Sequence, residues 1–178
     1  MWRVGFAQAM AVAFVLGAMG VPWVSAAGTS PPVDHSAHYR TCVNSSAAAY
    51  QINPRLLRAI VRVENGTWDP WSVSINAKGQ SHPQVVRSYQ QAVELVTRLW
   101  KQNVNFDVGL GQVNTVNMER FKVHPVSLLD PCVNLRYAAR ILRESIDRHG
   151  YNWTAIERYN GHNPHYPWKI HRALKELP

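Results

Sequence analysis

The chain is poor in cysteine and in acidic side chains, and beyond its N-terminal stretch it lacks any apolar run long enough to span a bilayer. Only Cys42 and Cys132 occur in 178 residues, too few for zinc-finger spacing. Asp and Glu number 11 against 19 Lys and Arg, a formal net charge of +8. No run of five basic residues and no aromatic sheet motif marks a nucleic-acid groove, so no nucleic-acid partner is expected. His-Glu-x-x-His and Gly-x-Ser-x-Gly are both missing, which removes the commonest zinc-hydrolase and serine-hydrolase signatures. Eight histidines are present, but His162 and His165 straddle Pro164, where no regular helix can align them, and no metal or organic cofactor is expected. Strand signals are weak, with Trp71 to Ile75 the best candidate for a small ribbon, and there is no internal repeat.

What is present begins with an address. Met1-Trp2-Arg3, a mostly apolar stretch from Val4 to about Gly20, and Val24-Ser25-Ala26-Ala27 have the layout of a secretory signal peptide cut near Ala26. The expected organisation is residues 1–26 as signal peptide, 27–40 as flexible leader and 41–178 as one exported domain, a monomer in the periplasm. Loss of Arg3 leaves a formal charge of +7, from +8 less one. So basic a surface suits a polyanion: nucleic acid, anionic lipid or a carboxylate-bearing cell-wall polymer. In an oxidising compartment Cys42 and Cys132 read as a disulfide, worth up to roughly 4 to 5 kcal/mol in the chain-entropy model.

The exported part has helical periodicity almost throughout. Segments are expected over Cys42 to Tyr50, Pro54 to Glu64, Val85 to Trp100, from Asp130 to a Gly150 cap, Trp153 to Tyr159, and from Pro167 onward. Asn53 reads as an N-cap and Pro54 as the first helical position. Counting from there, Leu57, Ile60 or Val61, and Glu64 share one face, so a carboxylate ends an oily stripe. Burial would raise its pKa, as a general acid at physiological pH requires. The same position would also suit an exposed last-turn glutamate, or one paired with Arg58 or Arg62. A second feature is Asn105-Phe106-Asp107-Val108-Gly109-Leu110-Gly111-Gln112-Val113-Asn114, in which glycines let backbone approach a ligand while Gln112 and Asn114 offer amides, an arrangement that suits a sugar. A third is Tyr159-Asn160-Gly161 after a short helix. Trp68, Trp71 and Trp168 read as packing residues first, with Trp71 also placed to stack on a pyranose.

In this order and spacing the three features resemble the lysozyme-like lytic transglycosylases, the family of the soluble lytic transglycosylases, related to goose-type lysozyme. The resemblance runs from Thr41 to about Ile170, and the form of the glycine segment with the paired cysteines is most similar to members that accompany conjugation, type IV secretion and pilus systems. It implies a mainly α, lysozyme-like α+β fold with a small or vestigial β element. It implies that Glu64 is the single catalytic acid/base, that Gln112 lines the cleft, and that Tyr159 and Asn160 belong to the substrate groove, with Asn65, Gly109, Leu110 and Asn114 as further substrate-binding candidates. The implied substrate is the glycan strand of peptidoglycan. Glu64 protonates the oxygen between N-acetylmuramic acid and N-acetylglucosamine, then accepts a proton from the muramic C6 hydroxyl to leave a 1,6-anhydro end. Two departures stand out. The usual Glu-Ser is Glu64-Asn65, where the amide still forms hydrogen bonds, and the usual Gly-Leu-Met-Gln is Gly109-Leu110-Gly111-Gln112, where loss of the methionine is expected to remove an apolar contact with sugar. Asp107 is the candidate second carboxylate of a hydrolytic alternative, or a loop cap. A non-catalytic wall-binding assembly protein is the third reading.

Overall fold

The computed structural model describes residues 35–161 and 163–177. The expected signal peptide, the leader up to Asp34, and His162 lie outside the described residues. Among the described residues no helix is long and apolar enough to cross a membrane. The elements are α1 (His35–His38), α2 (Arg40–Ala49), α3 (Pro54–Glu64), β1 (Val73–Ala77), β2 (Gln80–Pro83), α4 (Tyr89–Lys101), β3 (Phe106–Val108), β4 (Val113–Asn114), α5 (Thr115–Phe121), a 3-10 turn (Pro125–Leu129), α6 (Pro131–His149), α7 (Trp153–Tyr159) and α8 (Tyr166–Glu176). The end of the stretch read as leader is therefore helical, and Tyr39 stacks on Trp68 with ring centroids 6.4 Å apart.

Local chemistry sets the helix starts. The Asn53 side chain accepts a hydrogen bond from Arg55 N and Pro54 opens α3; Asp130 does the same for Val133 N, with Pro131 opening α6. The start expected at Val85 is instead at Tyr89. Ser88 caps α4 by accepting from Gln91 N, and the Gln91 side chain accepts in return from Arg87 N, a variant of the capping box. Val85 stays outside the helix, 81% exposed.

Two cores result. One is formed by α2, α3, α6, α7 and α8 around Leu57, Ile60, Leu135, Leu142 and Ile170; the other lies between α4, the sheet and the 3-10 turn around Val96, Phe106, Met118 and Leu128. The sheet is antiparallel in the order β2-β1-β3-β4. The segment read as a glycine loop is a tight hairpin of β3 and β4, pairing Asp107 with Asn114 and Val108 with Val113. Its turn reaches out of the second core into the first, where Leu110 is fully buried.

A disulfide joins Cys42 on α2 to Cys132 on α6 across a sequence separation of 90, with Cα atoms 4.9 Å apart. Reduction is expected to destabilise the protein by about 2–4 kcal/mol. In thermal melts with and without reductant, that loss appears as a drop on the order of 10 °C. An unchanged midpoint would mean that α2 and α6 hold together without the bond.

Candidate active site

Glu64 is the last residue of α3, where the helix meets the hairpin turn. Its Oε1 accepts hydrogen bonds from the Tyr166 hydroxyl at 2.5 Å and from Asn160 Nδ2 at 3.2 Å. The alternative partner Arg62 points elsewhere and pairs with Glu176 at 3.0 Å. Glu64 lines a cleft of about 770 Å³, and Asp107, Gln112, Asn114, Tyr159 and Asn160 line the same cleft. Segments up to 96 residues apart in sequence thus converge on one space.

The remaining candidates sit behind the wall. Gly109 and Leu110 are buried, and Asn65 is 5% exposed. Asn65 Nδ2 donates to the carbonyls of Asp69 at 2.6 Å and Gly109 at 3.3 Å, and its Oδ1 accepts from Thr67 Oγ1 and Asp69 N. Its geometry therefore ties the end of α3 to the hairpin and leaves its amide no polar atom for a sugar. Gly109 has φ +78°, a conformation that favours glycine. The expectation for Gly111 changes as well. A Cβ there would meet the Ala138 Cβ at 2.5 Å, so a side chain at this position is directed into α6 rather than at a sugar.

Three residues that the sequence reading passed over complete the site. Tyr166, 1% exposed, is the donor on Glu64; it stacks on Tyr159 with centroids 6.3 Å apart and planes at 15°. Tyr159 in turn donates to the Gly111 carbonyl at 2.9 Å. Asn76 on β1 donates to Asp107 Oδ2 at 2.7 Å, while Asn114 donates to Asp107 Oδ1 at 2.7 Å. Asn134 on α6 is fully buried and pins the hairpin: it donates to the carbonyls of Val108 at 2.8 Å and Leu128 at 3.0 Å and accepts from Gly111 N at 2.8 Å. The Tyr-Pro pair opening α8 was visible, but only the packing of α8 on α3 brings its hydroxyl to Glu64.

The electrostatics follow from this enclosure. Burial raises the Glu64 pKa, the Tyr166 and Asn160 hydrogen bonds oppose it by favouring the anion, the negative charge of Asp107 raises it further, and Lys169 lowers it. Burial also raises Asp107, against the donors Asn76 and Asn114. Burial and the nearby carboxylates hold the phenols of Tyr159 and Tyr166 well above their ordinary range, so both remain neutral donors. The arrangement is able to keep a proton on Glu64 at a pH where an exposed glutamate has lost it, and to release it beside a polar cleft.

This is a lysozyme-like, mainly α fold with a small antiparallel sheet beside the helix that carries the acid. Residues 41–172 match the transglycosylase SLT domain, and the chain belongs to that family, whose members are lytic transglycosylases. It is similar to the type IV secretion system protein virB1 of Brucella abortus, 29% identical over 106 residues covering 60% of this chain and 43% of that protein. It is also similar to the invasion protein IagB of Salmonella typhi, 33% identical over 86 residues covering 40% and 54%, and to protein IpgF of Shigella sonnei, 24% identical over 123 residues covering 67% and 64%. The chain spans roughly half the length of these curated relatives. No solved structure matches.

Proposed function

We propose that the chain is an exported, periplasmic lytic transglycosylase that cuts the β-1,4 bond between N-acetylmuramic acid and N-acetylglucosamine, opening the wall locally for an envelope-spanning secretion, conjugation or pilus system. The observation that carries this reading is the shielded Glu64 carboxyl, raised in pKa and held by Tyr166 and Asn160 at the side of a polar cleft. Glu64 gives its proton to the bridging oxygen as the C1–O bond breaks, and the muramic acetamido group stabilises the cation at C1. The Glu64 carboxylate then takes the C6 hydroxyl proton while O6 closes on C1, which regenerates the acid. Membership of the family and the names of the relatives support the secretion-system setting.

Asp107 favours a second reading, hydrolysis, because it lines the same cleft. Both its oxygens already accept amide hydrogen bonds, which supports a supporting role rather than the steering of an attacking water. Mass spectrometry of products from purified sacculi separates the two. The transglycosylase gives anhydro ends lighter by one water, whereas reducing ends alone would establish a muramidase. No soluble product from either chemistry would leave a wall-binding role.

Tyr166→Phe provides a test of the proton's location. Its hydroxyl stabilises the Glu64 anion, so its loss raises the Glu64 pKa further. Activity that requires the protonated acid falls as pH rises through that pKa, and the alkaline limb of the pH–rate profile is expected to move upward in the variant, with a change in maximal rate of about tenfold or less. A downward shift would show that Tyr166 does not act through Glu64.

A further inference from the structure

The cleft has two chemically different halves. Around Glu64 and Asp107 the lining groups are neutral amides, those of Asn76, Gln112, Asn114 and Asn160. Along the wall made by α5, the C-terminal part of α6 and α7, four basic side chains, Arg120, Arg148, His149 and Arg158, stand among Asn117, Ile141, Ser145 and Tyr159. The cation that acts on Glu64 is Lys169 on α8, not one of these arginines. The arginine wall is therefore not what sets the proton affinity of the reacting carboxyl.

Nor does helix stability account for it. Glu144 on α6 is shared by the guanidinium groups of Arg120, Arg140 and Arg148, which leaves that group with a surplus of two positive charges. A single i,i+4 partner would supply what an exposed helix pair contributes, and additional like charges repel. Arg120 and Arg140 are moreover fixed over the Phe121 ring, 4.2 and 4.0 Å from its centroid, so the positive charge is held in place before any ligand arrives. Arg148 keeps its side chain 64% exposed at the cleft.

Resting on the wall-cleaving reading above, we infer that this basic half is an anion subsite for the carboxylates of the peptide stems, which makes peptide-bearing glycan, rather than the bare sugar strand, the preferred ligand. A neutral sugar backbone meets the amides, and acidic stems projecting from it meet the arginines. The match is one of charge position along a single polymer.

Binding of the Glu64→Gln protein to intact sacculi and to strands stripped of their peptides by an amidase tests this without relying on turnover. Intact material is expected to bind about tenfold more tightly at low salt, with the difference shrinking as ionic strength rises. Adding Arg148→Glu, or the milder Arg148→Gln, is expected to remove most of the preference, while a charge reversal at Lys101, outside the cleft, leaves it intact. Equal binding of the two materials would overturn the inference. So would tight binding to stripped strands that depends on Arg148, because the ligand would then be the lactyl carboxylate exposed by the amidase. Cleavage by the wild-type protein, scored separately on both materials, decides the enzymatic reading on its own.

Discussion

Glu64→Gln is expected to lower the rate of wall cleavage by about a thousandfold or more, because Asp107, the other carboxyl lining the cleft among the described residues, already accepts amide hydrogen bonds at both oxygens. The change is close to isosteric. A glutamine Oε1 still accepts from Tyr166 and Asn160, so the cleft keeps its shape while losing the transferable proton. The effect on stability has the opposite sign. Burial places the folded-state pKa of Glu64 above its unfolded value, so between the two the native state holds a proton that the unfolded chain has released. Native stability therefore falls as pH rises through that window and stays lower above it. Glutamine does not titrate and escapes the fall. The variant should melt no lower than wild type at neutral pH, and its relative advantage should vanish below about pH 4, under the ordinary range of an unfolded glutamate. Turbidity clearing of sacculi gives the first quantity and melts across pH the second. A variant that clears sacculi normally would remove Glu64 from the chemistry, and one that unfolds at neutral pH would assign it to the fold.

The placement of Glu64 was legible because local signals agreed: an Asn-Pro start and an apolar stripe counted from it. The same agreement located α6 from Asp130-Pro131 and α7 before Tyr159-Asn160. Where the sequence misled, one local rule displaced another. Apolar spacing carried α4 back to Val85, but the hydroxyl of Ser88 and the amide of Gln91 fix the start at Tyr89. Strands of three and two residues are too short to show alternation, so the β3–β4 hairpin read as a loop. Amides were the hardest to read. Asn65 was expected on the cleft and is buried behind it; Asn76 and Asn134, assigned no role, hold Asp107 and the hairpin. An amide that donates and accepts equally well serves ligand or backbone, and which of them it meets is decided only by what folds beside it.

The hairpin's dependence on one amide leads to the second large effect. Asn134→Ala is expected to destabilise the protein by about 5 kcal/mol, because it strands the Gly111 N–H and the carbonyls of Val108 and Leu128 in a water-free position, each at about 1–3 kcal/mol. For a domain of this size the melting temperature should fall by about 10–20 °C. At temperatures where the variant remains folded, cleavage should weaken too, since Gly111 carries the carbonyl that receives Tyr159 and precedes Gln112 at the cleft. Asn134→Asp separates lost hydrogen bonds from lost volume. It keeps the shape and the acceptor for Gly111 N–H but turns the donor into a carboxylate facing two carbonyl oxygens. Burial and those oxygens should raise its pKa, so stability should fall as pH rises and partly return on acidification, when the protonated acid donates once more. If Asn134→Asp melts like wild type at neutral pH, the two carbonyls do not need a donor, and the hairpin is held instead by Leu110 packed in the helical core.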